Sequence, residues 1–520
     1  MIQNQSLKEI VYDRNFLLGF IFLSGLLVRY SFHNFGLPFT HDDFGYFVFA
    51  LDISILDNFP NYLISSIGWP LFTSLFFQII SFENLFSYMI LQEHLSLWLS
   101  ALTVIPVYFL SKKFLPKKFA FFASFLFVIE PRLVLNSVEG LTEPFFLILF
   151  TSALALVLSK SIKFSYIAFS LATFSTIVRP EGLIIILLIS ILFFYNHKSQ
   201  KINFIKFLPN IVIIFAILSP IMIYQMDIYG EELFFSRILE GTSHLITGTG
   251  EAEDIVDDKL VPYKFDVDVV YGLINFFKYT LWILLPLFFL VPLGLFSILK
   301  KWNYETLVIF TSLTIISLPV LYVYSNFIES VRFLLIFYPL FSILSTIGIV
   351  FVFSKLGFNT KFVIMVALIF LIISLVFVSI KQENYEHEFE AYGVADFIIQ
   401  NTSGINSLSS SYTKYIDPLE FNEKWKNDYT VPSIDPFKRQ KNIQIINISN
   451  FESLNSFISE SESKGLTHLV LDSNPNLNLK LKDIFNEQDV PNYLMKIYDS
   501  KEFEYSYHVK IFYINYEILE

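Results

Sequence analysis

The 520-residue chain contains no cysteine, which removes disulfides, thiolate metal sites and cysteine nucleophiles from consideration. It is also short of charge, with Asp, Glu, Lys and Arg at 16% of residues, against about 25% in an ordinary soluble domain. There is no Walker loop, and "GTGEAED" (248–254) is too short and too acidic for a dinucleotide fingerprint. His41, His94, His197 and His244 lack ligand spacing, which argues against a fixed zinc site. A formal net charge of −11 gives no basic surface for nucleic acid.

What the chain has instead is apolar length. Residues are 54% hydrophobic and 18% aromatic. Apolar runs fall at about 15–32, 88–111, 119–135, 143–159, 164–178, 182–196, 207–226, 271–299, 306–324, 332–353 and 362–380. These are eleven candidate transmembrane helices, so the expected fold class is mainly α, a polytopic membrane bundle. The first run has no small-residue cleavage site after it and reads as a retained helix.

Lysines orient the bundle. Lys112, Lys113, Lys117 and Lys118 follow the second run; Lys160 and Lys163 the fourth; Lys198, Lys201 and Lys206 the sixth. Lys300 and Lys301 follow the eighth run, Lys355 and Lys361 the tenth, while Lys8 and Arg14 precede the first. Every second connection is basic. By the positive-inside rule, the N-terminus is expected in the cytoplasm and the chain after residue 380 outside the cell membrane.

Composition then divides the chain at 380/381. Residues 1–380 form the expected transmembrane domain, with a first exterior loop at about 33–87 carrying interfacial helices "FGYFVFALDISIL" and "GWPLFTSLFFQIISF". Residues 381–520 hold 13 Lys and Arg against 22 Asp and Glu, an acidic and soluble composition. "YEHEFEAYGVADFIIQ" and "FESLNSFISESESKG" read as helices, the second stopped by Gly465. "IQIINIS", "THLVLDS" and "HVKIFYINY" read as strands, so a small extracytoplasmic α/β domain is expected. The sequons at Asn401 and Asn447 suit an exterior location. Residues 227–270 read as an acidic exterior loop.

Four short stretches carry charge on the lysine-poor side. "THDDFGYFVFA" brings His41, Asp42, Asp43 and Tyr46 in the order D-D-x-x-Y at the head of a helix. Either Thr40 or Asp42 would cap it, and adjacent carboxylates repel, which raises one pKa toward general-base use. "NSVEGLTEP" places Glu139 and Glu143 four apart beside Pro144, where a turn or a compensating partner is needed. Glu130 and Arg132, around Pro131, are a candidate pair. "VRPEG" sets Arg179 and Glu181 between two runs too short to reach the surface, where paired or functional charge is expected. "FIESVRF" puts Glu329 and Arg332 at the outer end of the tenth run, and a guanidinium suits bidentate capture of phosphate.

The order of these features resembles the GT-C superfamily of integral-membrane glycosyltransferases, which includes protein mannosyltransferases and lipid A aminoarabinose transferases. The likeness rests on the first-loop acid pair, "GWPLFTSLFF", "GLTEP", "RPEG" and "RFLLIFYP", and covers about residues 10–380. It implies transfer of a sugar from a polyprenyl-phosphate or dolichyl-phosphate carrier to an exterior glycan, lipid or protein acceptor. It assigns Asp42 or Asp43 as base on the acceptor hydroxyl, with Asp42 the leading acid of the pair and inversion the outcome. Arg332 and Arg179 would hold the donor phosphate. His41, Tyr46, Glu139, Glu143 and Glu181 are the further candidates for substrate or cation contact. Some relatives use a divalent cation, which Asp43 and Glu143 would help to hold. Two other readings compete: a transporter or lipid-carrier flippase, which calls for mid-bilayer charge and inverted repeats, and a membrane-anchored assembly protein, which needs one or two spans.

Overall fold

The computed structural model describes residues 14–33, 36–55, 59–60, 62, 64, 66–159, 161–197, 204–230, 234–256, 259–284, 290–300, 302–356, 360–381, 385–407, 410–427, 443–447, 453–473 and 479–519. Lys8, Lys160, Lys198, Lys201 and Lys301 of the lysine pattern lie outside these residues, as do the last two residues of the Asn447 sequon. Two compact units emerge. One comprises Met1–His33, Leu63–Thr73 and Gln92–Lys381; the other comprises Asn34–Tyr62, Ser74–Leu91 and Gln382–Glu520. Residues of the expected first loop therefore fold with the chain beyond 381.

The helices run α1 (Arg14–Ser31), α2 (His41–Ile55), α3 (Gly68–Ile79), α4 (Leu85–Leu102) and α5 (Val104–Ser111). Next come α6 (Lys117–Val128), α7 (Pro131–Ser137), α8 (Glu143–Val157), α9 (Ile162–Val178) and α10 (Gly182–His197). They continue with α11 (Leu208–Tyr229), α12 (Phe234–Thr247), α13 (Val269–Ile283), α14 (Leu290–Leu299) and α15 (Tyr304–Ser325). A 3₁₀ turn, Val331–Phe337, leads into α16 (Tyr338–Leu356) and α17 (Thr360–Lys381).

Each of the eleven expected runs is helical over most of its described residues, and the fold is a mainly α, multi-pass membrane bundle. The number of crossings is a separate matter. Among the described residues five helical stretches are long and apolar enough to cross a membrane, or six if α6 and α7 make one bent span. That bend, 53°, has a local cause. Pro131 has no N–H and pushes Glu130 out of helical geometry (φ −61, ψ 122), and the Glu130 carboxylate then accepts from the Arg132 and Leu133 amides at 2.7 and 3.0 Å. The Glu130 Oε1 stands 3.6 Å from Arg132 Nη1, as an internal pair requires.

The stretch 227–270 departs from the expected acidic loop. It forms α12 and an antiparallel hairpin of β1 (Thr249–Val256) and β2 (Lys259–Asp266), in register from Thr249↔Asp266 to Val256↔Lys259. Three of its acidic residues, Glu251, Glu253 and Asp254, fall in the sequence of β1, which lacks the apolar alternation that marks a strand.

Helix α14 packs on α16 through two glycines. A Cβ on Gly294 would stand 1.9 Å from the Leu344 carbonyl oxygen, and one on Gly348 would stand 2.3 Å from that of Leu290. Small residues permit this backbone approach in a lipid medium, where dispersion rather than water drives helix association.

In the second unit, α2 buries Phe44, Phe47, Val48, Ala50 and Leu51 against Phe77, Leu85, Tyr88, Phe421 and Trp425. The chain beyond 381 supplies α18 (Tyr385–Asn401), β3 (Gly404–Ser407), α19 (Ser410–Thr413), α20 (Ile416–Asn427) and β4 (Gln444–Asn447). It continues with α21 (Leu454–Glu462), β5 (His468–Asp472), α22 (Leu479–Phe485), β6 (Leu494–Asp499) and β7 (Val509–Ile514). The five strands are ordered β4-β3-β5-β7-β6, parallel from β4 to β5 and antiparallel from β5 through β7 to β6. Val470 faces a core with α18 and α20, while Leu469 and Leu471 face one with α21 and α22, so helices cover both faces. The expected helices and strands are present, with Gly465 (φ +81) just past the α21 stop. Sequence reading missed β3 and β6, of which "GINS" has too few β-branched residues to signal a strand.

Two predictions follow from this packing. Gly294→Leu forces α14 away from α16 and is expected to lower stability by about 1–3 kcal/mol or more, read as a lower midpoint of thermal unfolding in detergent. The second concerns pH. Burial pushes the His468 imidazole down to about 4 from 6.5. Between these values the unfolded chain binds a proton that the folded chain refuses, so stability falls as pH drops. The acid slope of the unfolding midpoint is expected to be shallower in His468→Gln.

Candidate functional site

Three connections at one end of the first unit converge on Arg179. Helix α9 stops at Val178, and Arg179 leaves it with extended backbone (φ −149, ψ 136) before Pro180. Its guanidinium then lies between two carboxylates. Nη1 donates to Glu143 Oε1 at 2.5 Å and to Thr142 Oγ1 at 3.3 Å, and Nη2 donates to Glu181 Oε1 at 2.9 Å. Arg332, delivered by the 3₁₀ turn, stands 3.7 Å from the same Glu143 oxygen through Nε. The Phe333 ring lies 5.4 Å from the Arg179 guanidinium carbon and 5.7 Å from that of Arg332.

Together Glu143, Arg179, Glu181 and Arg332 line a small cleft, completed by Phe146, Phe333 and Pro319. Its two cations and two anions balance. Burial is graded: the Glu143 side chain is 4% exposed and that of Arg179 11%, while Arg332 keeps 33%. Arg332 is thus the cation presented at the opening, and Arg179 the one held behind it. Three of the four charged stretches singled out in the sequence meet here.

Glu139 and Glu143 do not share a helix face. A turn with Gly140 at φ +67, a value suited to glycine, separates α7 from α8. Glu139 is met by Asn136 Nδ2 at 3.4 Å, whereas Glu143 opens α8 and enters the arginine cluster. The turn is held from the side: the Gly140 carbonyl accepts from Trp69 Nε1 at 2.9 Å and Gln92 Nε2 at 3.0 Å. Glu329 is engaged by the hydroxyls of Tyr271 and Tyr279, the latter at 2.6 Å, and their donation holds its carboxyl below the usual range.

In the second unit, His41, Asp42 and Asp43 form the first turn of α2. His41 has φ +54, a left-handed value unusual outside glycine. Asp43 Oδ2 accepts from the Thr40 amide at 3.3 Å, the reverse half of a capping box, so Asp43 serves the helix end. Asp42 and His41 are exposed, Asp43 is half-buried, and Tyr46 is buried with the apolar face.

Several buried polar residues escaped the sequence reading. Arg29, fully buried in α1, donates to the carbonyls of Gly25 and Val128 and to the Ser100 hydroxyl at 3.0, 2.9 and 2.8 Å. His33 and Glu93 pair at 3.0 Å, and Asp52 accepts from the Tyr62 hydroxyl at 3.1 Å. A lone charge inside an apolar run was the available signal for Arg29 and Glu93. Among the described residues no group of three or more His, Asp or Glu side chains is arranged to hold a metal ion. Both acids of the cleft already serve guanidiniums, Glu143 those of Arg179 and Arg332 and Glu181 that of Arg179.

The fold is similar to those of solved proteins at low sequence identity. ArnT from Cupriavidus metallidurans, solved with undecaprenyl phosphate, superposes with a TM-score of 0.52 over 96% of this chain and 98% of that one, at 8% identity. The Archaeoglobus fulgidus oligosaccharyltransferase, solved with a tethered acceptor peptide containing the NVT sequon, has a TM-score of 0.51 over 97% of this chain and 74% of that one, at 13% identity. No family model and no curated protein matches the chain.

The buried cluster carries its own prediction. Glu143→Gln leaves Arg179 and Arg332 short of an anion in a low-dielectric setting and is expected to cost up to about 3–5 kcal/mol. Arg179→Gln in that background should restore part of it, and a double-mutant cycle on unfolding midpoints measures the coupling.

Proposed function

We propose that the chain is an integral-membrane glycosyltransferase that moves a sugar from a polyprenyl-phosphate carrier to an acceptor on the exterior face. The observation that carries this reading is the cleft lined by Arg332 and Arg179, with Glu143 shared between them and Glu181 on Arg179. The two proteins named above were solved with undecaprenyl phosphate and with an acceptor peptide, which supports a lipid-phosphate donor and an acceptor.

In this reading a base removes the acceptor proton as the acceptor oxygen attacks the anomeric carbon. The bond from that carbon to the phosphate oxygen breaks, and configuration inverts. Negative charge gathers on the departing polyprenyl phosphate, and a guanidinium offsets it most strongly where water is scarce. Arg332 is our choice for that contact because it is the more exposed of the two arginines, and Arg179 positions it through their common anion Glu143. Asp42 is our choice for the base. It is exposed, whereas Asp43 is used by the Thr40 amide. The orientation, with N-terminus inside and the α/β part outside, rests on the lysine pattern.

The test is transfer activity with a polyprenyl-phosphate sugar. Asp42→Asn is expected to lower turnover about 10²–10⁴-fold with unchanged unfolding midpoint, and Asp43→Asn to do so less. Arg332→Gln is expected to weaken donor use. Full activity in both aspartate variants would remove the base assignment, and a tag after Glu520 reached only from the cytoplasm would overturn the orientation.

A further inference from the structure

A second cavity in the first unit lies away from the arginine cleft and enters none of the chemistry above. Its interior volume is about 330 Å³, at the lower end of the range of about 300–1,000 Å³ that small-molecule sites occupy. Its walls come from the α5–α6 connection, the α14–α15 connection and the last turns of α16. Helix α15 touches both cavities: Thr306 lines this one and Pro319 the arginine cleft. Those thirteen residues correspond to roughly 20 Å along a helix, so the two openings sit toward opposite ends of the bundle.

The walls are mostly hydrocarbon, with Phe114, Leu115, Ile309, Ile347, Val350 and Phe351 the main contributors. Several polar lining groups are committed within the protein. Asn303 Oδ1 accepts from the Thr306 amide at 2.9 Å, the Thr306 hydroxyl lies 3.1 Å from the Ile298 carbonyl, and Ser354 Oγ donates to Phe351 at 2.8 Å. A cavity of this kind offers water few partners and suits an apolar chain.

Its rim is cationic. In "KKFLPKK" the segment Phe114–Pro116, which lines the cavity, is bracketed by Lys112, Lys113, Lys117 and Lys118, all exposed. Lys300 lies 5.1 Å over the ring of the lining Phe351, and the exposed Lys355 follows the lining Ser354. Against these stands one acid of the lining, Glu305. An apolar slot between helices with lysines at its mouth is complementary to a lipid that carries a phosphate on an acyl body.

We infer that this cavity binds an anionic phospholipid, with an acyl chain between α14, α15 and α16 and the phosphate at Lys113, Lys117 and Lys300. The site is independent of the sugar-transfer reading and of which way the bundle faces.

The experiment uses the full chain in nanodiscs of phosphatidylcholine, with or without phosphatidylglycerol of the same acyl chains. Phosphatidylglycerol is expected to raise the unfolding midpoint by several degrees. The increment should be absent in the triple variant Lys113→Gln/Lys117→Gln/Lys300→Gln, whose positions are exposed and tolerate the change. Ser297→Phe, which narrows the cavity from inside, should lose it while keeping every lysine. Equal midpoints in both lipids, or an increment that survives in the triple variant, would overturn the proposal. So would an increment reproduced by soluble glycerol phosphate in place of the lipid, since the slot would then be unused.

Discussion

A charge inside a low-dielectric bundle has to be matched there, and the first unit is organised around that constraint. Arg179 is its centre. One guanidinium joins the head of α8, the turn before α10 and, through Glu143, the 3₁₀ segment that opens α16. These segments are far apart in the chain, so the ion cluster fixes tertiary geometry that apolar packing alone leaves free. The same rule explains Arg29 on two carbonyls and a hydroxyl, Glu130 on two amides with Arg132 beside it, and His33 against Glu93. Each is a polar debt of the chain settled locally.

The cluster also divides labour between two similar residues. Arg179 donates to Glu143, Glu181 and Thr142, whereas Arg332 stands 3.7 Å from Glu143 and is the more exposed of the two. At the other end of the bundle the physics is different. Lysines there flank a mostly apolar slot that has Glu305 in its lining.

Much of this could be read from the residues in order. The apolar runs, the basic connections, Gly465 after α21 and the strands at 468–472 and 509–514 follow from periodicity and composition, which are local properties. The charged stretches at 139–143, 179–181 and 329–332 stood out because charge at a run's edge is conspicuous. Other features stayed hidden for physical reasons. The hairpin at 249–266 is acidic enough to resemble a loop, and β3 has only one strongly β-prone residue, Ile405. Trp69 and Gln92 look like ordinary helix residues until the Gly140 carbonyl is seen between them.

By itself the sequence determined that this is a multi-helix membrane chain with an α/β part after residue 381, because burial in lipid and pleating of strands each impose a repeat that can be counted. It also determined which short stretches carry charge. Only the tertiary structure decided that Glu143 belongs with Arg179 while Glu139 does not, since one glycine turn redirects a neighbour four residues away. It decided, too, that the chain at 34–62 folds with the residues beyond 381, and that Asp43 closes the helix end while Asp42 stays open to solvent. Those outcomes depend on contacts between distant segments, and no local repeat encodes them.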